Sequence, residues 1–181
     1  MSDSLFSQNY FEIFALDVSS GVDMTQLKQK NQALQQQVHP DRFASGSEAE
    51  KREAMQKTSL INQAYNTLKQ PASRLQYMLS LQGIDMNAET DTTMDGAFLM
   101  EQMELREAIA EVRDKADPLD ALDKIASQLK QKATQLLSEF DQFYDQHAFD
   151  KAREVVRKLQ FINKAQREVS ELTEQLEDEI L

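Results

Sequence analysis

The sequence of 181 residues contains no cysteine, and it has only two histidines, three prolines and four glycines. The lack of cysteine excludes disulfides, thiolate metal sites and a cysteine nucleophile. With two histidines, a metal site would need carboxylates for most of its ligands, so no metal or other cofactor is predicted. Because glycine and proline are scarce, long helices are favoured over a sheet with many turns.

Long apolar segments are missing as well. No apolar run approaches the length of about 20 residues that a membrane-spanning helix needs. The N-terminus also lacks the basic segment followed by an apolar one that marks a secretory signal. These two features predict a soluble, cytoplasmic protein.

Basic residues are too few to balance the acidic ones, and the net charge is −11. Residues 1–75 carry eight acidic and eight basic side chains, whereas residues 76–181 carry 23 acidic and 12 basic ones. The acidic second half disfavours nucleic acid and anionic membranes as partners, because phosphates attract positive surfaces. It favours a basic protein partner or serves solubility alone, and charge does not separate these two interpretations.

The fold is predicted to be all-α, because Glu, Gln, Lys, Leu and Ala are abundant and no strand-like alternation is evident. Amphipathic patterns predict helices over residues 23–38 and 47–69, with Asp23 and Ser47 as N-cap residues. One face of the second helix is predicted to consist of Met55, Thr58, Ile61, Tyr65 and Leu68.

A domain boundary is predicted near residues 70–75, because Pro71 cannot continue the preceding helix. We therefore expect an N-terminal domain over residues 1–75, a linker helix and loop over residues 76–94, and an antiparallel three-helix bundle over residues 95–181. The three bundle helices are predicted from about residue 95 to 115, after Asp117-Pro118, and from near Asp150.

The tripeptide His39-Pro40-Asp41 lies between the first two helical patterns. Pro40 breaks the helix and pushes His39 out of the α region, so a stiff loop presents one imidazole and one carboxylate. From the residues alone, the tripeptide is interpreted as a helix-breaking turn in which His39 and Asp41 satisfy local backbone groups. A catalytic role is disfavoured, because no nucleophile or oxyanion hole is evident to accompany His39 as a base.

The first bundle helix has two apolar surfaces. At about 100° per residue, its core-facing side is predicted to consist of Phe98, Leu105, Ile109 and Val112. A second surface combines Leu99, Met100 and Met103 with Glu104 and Glu107. This second surface is either covered by another part of the chain or exposed as a docking patch, for which flexible methionine is suited. The periodicity alone favours coverage.

The N-terminal part resembles a J domain. The similarity is carried by the Asn-Tyr-Phe-Glu segment at residues 9–12, the His39-Pro40-Asp41 tripeptide, and the Ile-Asn-Gln-Ala-Tyr segment at residues 61–65. This resemblance implies docking on an ATP-bound DnaK-type chaperone and stimulation of its ATPase. The implied contacts are His39, Pro40, Asp41, Lys28, Lys30 and Arg42. The sequence departs from the usual pattern in having few basic residues in the second helix and Val38 in place of an aromatic residue.

Three further segments resemble the HscB family of iron–sulfur co-chaperones. They are residues 71–79 (PASRLQYML), residues 98–107 (FLMEQMELRE) and residues 156–161 (VRKLQF). The resemblance implies two partners, a specialised HscA-like chaperone of the DnaK type and an IscU-like scaffold protein on which iron–sulfur clusters are built. The implied scaffold contacts are Leu99, Met100, Met103, Glu104, Glu107 and Phe161.

The sequence therefore predicts a co-chaperone that has no enzymatic activity of its own. It would stimulate the ATPase of the chaperone and deliver the scaffold protein to it. Two alternatives stay open, a general J-domain adaptor that recruits another client and a purely structural helical protein with a fortuitous tripeptide. An enzyme is the least favoured class, since no nucleophile, phosphate loop or metal cluster is apparent.

Overall fold

The computed structural model describes residues 5–43, 45–86 and 95–180. Within these ranges there are α-helices and short 3₁₀ segments but no β-strand, so the all-α prediction is confirmed. The chain forms two compact units, residues 1–81 and residues 82–181. The helices are α1 (Tyr10–Ile13), α2 (Met24–Val38), α3 (Glu48–Lys69), α4 (Pro71–Leu81), α5 (Gly96–Ala110), α6 (Pro118–Asp145) and α7 (Phe149–Ile180).

Helices α2 and α3 form an antiparallel pair in the N-terminal unit. The Gln35 amide donates to the Asn62 side chain at 2.7 Å, and the Thr58 hydroxyl donates to the Val38 carbonyl at 3.4 Å. The Asp23 carboxylate accepts from two backbone N–H groups at the start of α2, which confirms its prediction as an N-cap. The Ser47 cap of α3 is confirmed as well, so local capping sets where both helices begin.

The core of the N-terminal unit lies between α1, α2, α3 and α4. Its fully buried large side chains are Phe11, Phe14, Leu27, Ile61, Leu68, Leu75 and Leu79. Met55 does not belong to this core, because the buried face of α3 includes the neighbouring Ala54 and Met55 is 63% exposed. The prediction that placed Met55 on one face with Ile61 and Leu68 is wrong by one position, about 100° around the helix.

Helix α4 packs within the N-terminal unit. The rings of Tyr10 and Tyr77 stack with centroids 4.3 Å apart, and the Tyr10 N–H donates to the Tyr77 hydroxyl at 3.0 Å. Burial raises the pKa of Tyr77. Gly83 follows α4 with a φ of +75°, the left-handed conformation that ends many helices. The predicted assignment of residues 76–94 to a linker stays a prediction, and residues 87–94 lie outside the described ranges.

Arg74 of α4 is a buried cation that holds two backbone segments. Its Nε donates to the Ser20 carbonyl at 2.8 Å, and its Nη1 donates to the Leu68 carbonyl at 2.6 Å. Burial lowers the pKa of the Arg74 guanidinium, although arginine stays protonated near neutral pH. Arg74 thereby fixes the turn before α2 to the last turn of α3.

We expect Arg74→Ala to lower the free energy of unfolding of the N-terminal unit by about 2–4 kcal/mol, because two buried carbonyls lose a charged donor. Thermal and urea unfolding of the full chain, followed by circular dichroism, will measure this loss. Arg52→Ala is the matched control, since Arg52 is an exposed arginine of α3. Equal stability of the two variants would contradict the role of Arg74.

Helices α6 and α7 form a long antiparallel hairpin in the C-terminal unit. Asp117 caps α6 with Pro118 in its first turn, as predicted. The connection between the helices contains His147 with a φ of +56°. The facing stripes of the hairpin are buried and consist of Leu122, Ile125, Leu129, Leu136 and Phe140 on α6 and Val155, Leu159, Ile162, Val169 and Leu176 on α7.

Helix α5 packs against this hairpin and completes the antiparallel three-helix bundle. Its buried side chains are Phe98 and Ile109, and Val112 is buried in the 3₁₀ turn that follows. The Glu101 carboxylate pairs with Lys132 of α6 at 3.1 Å. The predicted helix to about residue 115 ends earlier, because the backbone changes to a 3₁₀ turn at Val112–Asp114. None of the described helices combines the length and the hydropathy needed to cross a membrane.

Candidate protein-docking sites

The tip between α2 and α3 is a short, hydrogen-bonded loop. His39 ends α2 with a ψ of 128°, the extended geometry expected before proline. The Arg42 N–H donates to the His39 carbonyl at 3.0 Å, and the Arg42 guanidinium donates to the Gln36 carbonyl at 3.1 Å. Arg42 therefore holds the tripeptide against the last turn of α2.

The Asp41 carboxylate is the most accessible charged group of the tripeptide. The Asp41 N–H donates to His39 Nδ1 at 3.3 Å, and the carboxylate Oδ2 lies 3.6 Å from the same nitrogen. A nitrogen that accepts from an N–H carries no proton, so in the neutral ring this second contact is not an ion pair. The Asp41 side chain is 90% exposed, and the loop presents its carboxylate to solvent.

The chain after the tripeptide turns tightly into α3. The Glu50 carboxylate accepts from the Ser47 N–H at 2.7 Å and from the Ser47 hydroxyl at 2.9 Å, and these bonds lower the pKa of Glu50. A Cβ atom at Gly46 would lie 2.9 Å from the same carboxylate and 3.2 Å from the Phe43 carbonyl. A side chain at Gly46 would therefore have to displace the Glu50 carboxylate and crowd the Phe43 carbonyl, while the Ser47–Glu50 bonds hold the start of α3.

The two lysines predicted to accompany the tripeptide have different surroundings. Lys28 is exposed on α2. The Lys30 ammonium donates to the Ala15 carbonyl at 2.7 Å, just after α1. Lys30 thus contributes to the packing of the N-terminal unit, a role that the sequence pattern did not predict because its partner lies 15 residues away.

The α5 patch, which we define as Leu99, Met100, Met103, Glu104 and Glu107, lies on the surface of the C-terminal unit. All five side chains are exposed, and the three apolar ones are 42%, 63% and 71% accessible in the order Leu99, Met100, Met103. Periodicity alone favoured a covered surface, but within the C-terminal unit none of the described residues buries these side chains. A surface of this composition suits binding to another protein.

Phe161 of α7 connects the core to the surface beside α5. Its ring meets the ring of Phe98 edge-on, with centroids 5.7 Å apart, and it is half-buried. The Lys158 ammonium lies over the Phe98 ring, 5.4 Å from its centroid, and 3.7 Å from the Asp95 carboxylate. Sequence analysis did not single out Lys158, because its contacts depend on how α5 and α7 pair.

The described residues contain no group of three or more His, Asp or Glu side chains placed to hold a metal ion. His147, for which no role was predicted, is exposed, and its Nδ1 lies 3.2 Å from the Asp145 carbonyl. Two exposed features stand out, the Asp41 carboxylate at the tip of the N-terminal unit and the α5 patch of the C-terminal unit.

Comparisons with known proteins agree with this division. Residues 9–77 match the DnaJ domain family, and residues 94–170 match the family described as the HSCB C-terminal oligomerisation domain. A similar curated protein is the "Co-chaperone protein HscB homolog" of Shewanella loihica. It is 41% identical over 164 residues, which cover 89% of this chain and 95% of the relative.

Solved structures show the same fold. The chaperone HscB from Vibrio cholerae matches with a TM-score of 0.83 and 40% identity, over 96% of this chain and all of the other. Human co-chaperone HscB matches with a TM-score of 0.79 and 32% identity, over 91% and 81% of the two chains. The Jac1 co-chaperone from Saccharomyces cerevisiae, at 21% identity and a TM-score of 0.65 over 89% and 91%, supports the fold alone. This chain belongs to the HscB family of J-domain co-chaperones, which serves iron–sulfur cluster assembly.

Proposed function

We propose that this co-chaperone uses the His39-Pro40-Asp41 tip to dock on a specialised, HscA-like chaperone of the DnaK type and to stimulate its ATPase. The support is the exposed Asp41 carboxylate on a loop that is fixed at both ends by Arg42 and by the Ser47–Glu50 pair. A fixed loop loses little conformational entropy on binding, so more of the contact energy is available for affinity.

The chemistry of ATP hydrolysis belongs to the partner in this proposal. A co-chaperone can shift the partner only by binding its hydrolysis-competent state more tightly than its other states. Asp41 supplies an anion for that contact, Arg42 supplies a cation of the same loop, and Lys28 supplies another on α2. The Lys30 ammonium and the Arg42 guanidinium each already donate to a backbone carbonyl. The guanidinium has five N–H donors and keeps others for the contact, whereas Lys30 is held beside Ala15 and contributes less.

We propose the α5 patch, together with Phe161, as the site that holds an IscU-like iron–sulfur scaffold protein. Leu99, Met100 and Met103 supply apolar area that is exposed in the free chain. Glu104 and Glu107 lie beside this area and orient a partner with basic side chains. The observation that carries the proposal is this exposed apolar and acidic surface on a unit separate from the tip.

The chain then acts by joining its two partners. A scaffold protein bound to the C-terminal unit has a raised effective concentration near a chaperone bound to the N-terminal unit. ATP hydrolysis closes the chaperone on its client, and the joined complex favours cluster transfer. A general adaptor for another client is the alternative, supported by the adaptable methionine surface.

An experiment with two single-defect variants tests whether joining is required. Asp41→Asn removes the tip function, and a second variant with Leu99, Met100 and Met103 replaced by alanine removes scaffold binding. We expect that an equimolar mixture of the two fails to restore the scaffold-dependent rise in chaperone ATPase seen with the unaltered chain, because neither variant holds both partners.

Steady-state ATPase rates with the chaperone and scaffold at concentrations below saturation will show the difference. The control is the unaltered chain at half concentration, which keeps both functions on one molecule. A mixture as active as this control would contradict the joining mechanism. Normal chaperone stimulation without any response to scaffold would favour the general adaptor.

A further inference from the structure

A groove between α5 and α7 gathers basic side chains on the acidic C-terminal unit. Its lining consists of Arg106 from α5 and Lys164, Arg167, Glu168 and Glu171 from α7. Residues 82–181 carry 23 acidic and only 12 basic side chains. Three of those 12 cations line this one groove, so the surface charge here is opposite to that of the unit as a whole.

These three cations differ from most others of the unit in having no ion pair. Within the part of the chain that the structure describes, no carboxylate oxygen lies within 4.0 Å of Arg106, Lys164 or Arg167. The cations of the unit that do have such a partner are Arg113, Lys115, Lys124, Lys132, Arg153 and Lys158. The groove therefore offers unpaired donors to a ligand.

The groove continues the α5 patch along the helix. Arg106 follows Leu99 by seven residues, which places it about 10 Å further along α5 and within about 20° of the same direction. On α7, Glu168 likewise follows Phe161 by seven residues, and Lys164 lies between these two residues in the sequence. A protein interface of ordinary size buries about 800 Å² on each partner. This area is large enough to include both the α5 patch and the groove.

The apolar residues of the α5 patch are therefore flanked by charges of opposite sign, with carboxylates on one side and the cations of the groove on the other. Glu104 lies about 140° around α5 from Leu99, on the side away from Arg106. A partner with basic residues alone would suit the Glu104 edge but would be repelled at the groove. A partner with a basic edge and an acidic edge, separated by apolar residues, matches both edges in one orientation.

We infer that the groove of Arg106, Lys164 and Arg167 binds an acidic segment of the same scaffold protein that the α5 patch holds. This inference rests on the proposed scaffold function and adds the chemistry of the partner's second contact. Glu168 and Glu171 limit the positive charge of the groove, so we expect it to act mainly by orienting the partner and by raising the rate of association.

Charge reversal in the groove tests the inference. We expect Arg106→Glu with Arg167→Glu to weaken binding of the purified scaffold protein at least tenfold at about 50 mM salt, and less at about 500 mM salt because exposed charges are screened. Surface plasmon resonance will show the change mainly as slower association. Lys124→Glu with Lys130→Glu on α6 is the control, since it makes the same change in net charge at exposed positions.

Each outcome decides the inference. A loss confined to the groove variant supports it. An equal loss in the α6 control indicates general repulsion and overturns it, and so does unchanged affinity of the groove variant. Light scattering detects the case in which the groove pairs with a second copy of this chain, where the oligomeric state changes while scaffold affinity does not; that result also overturns the inference. The alanine variant of Leu99, Met100 and Met103 tests the proposed function separately, because it leaves the groove intact.

Discussion

Replacing Asp41 with asparagine is expected to abolish stimulation of the chaperone ATPase, with the rate falling to that of the chaperone alone. The change removes one negative charge and keeps the size of the side chain. Because the carboxylate is 90% exposed, its loss costs the folded chain little stability. It removes an anionic contact that only the hydrolysis-competent state of the chaperone is proposed to make, so the differential affinity disappears.

A single-turnover ATPase assay will measure this effect, and calorimetry with the scaffold protein will show unchanged binding. Asp17→Asn is the matched control, because Asp17 is also an exposed aspartate of the N-terminal unit. If Asp41→Asn stimulates hydrolysis as well as the unaltered chain, the tip does not act through this carboxylate.

Replacing Leu99, Met100 and Met103 together with alanine is expected to weaken scaffold binding about 100-fold. Truncating a well-packed apolar contact at the centre of an interface costs on the order of 1 kcal/mol or more. Three such losses, summed to about 3 kcal/mol, correspond to roughly two powers of ten in Kd. The free energy of unfolding should change by less than about 1 kcal/mol, because exposed side chains contribute little to it.

Isothermal titration calorimetry with the scaffold protein will measure the affinity, and urea unfolding will confirm that the variant is folded. Met55→Ala is a strict control, because Met55 and Met100 are both 63% exposed and lie on different units. Stimulation of the chaperone in the absence of scaffold should be unchanged. Undiminished scaffold affinity would falsify the assignment of the α5 patch.

Much of the fold follows from local signals. The capping residues Asp23, Ser47 and Asp117 begin their helices where the sequence predicts, because a cap satisfies backbone N–H groups within three residues. Gly83 ends α4 for an equally local reason, since it adopts a positive φ at little cost. The placement of Phe98, Ile109 and Val112 in the bundle core also follows from helical periodicity.

Other features depend on contacts that are distant in sequence. Arg74 donates to a carbonyl 54 residues away, and Lys30 donates to one 15 residues away. Neither bond has a periodic or capping signature, so neither residue was predicted to hold the N-terminal unit together. Met55 illustrates the same limit, because a shift of one residue in the buried face of α3 depends on how its neighbours pack.

The order of residues was sufficient to predict the helices and the family, because capping, periodicity and the quoted motifs are all properties of short segments. Packing in three dimensions settled which side chains are accessible. Periodicity alone favoured a covered surface for Leu99, Met100 and Met103, yet all three are exposed. Packing also brought Arg106 together with Lys164 and Arg167, which lie 58 and 61 residues further along the chain. A helical period tells which residues share a face, but only the neighbouring helices determine whether that face meets water or protein.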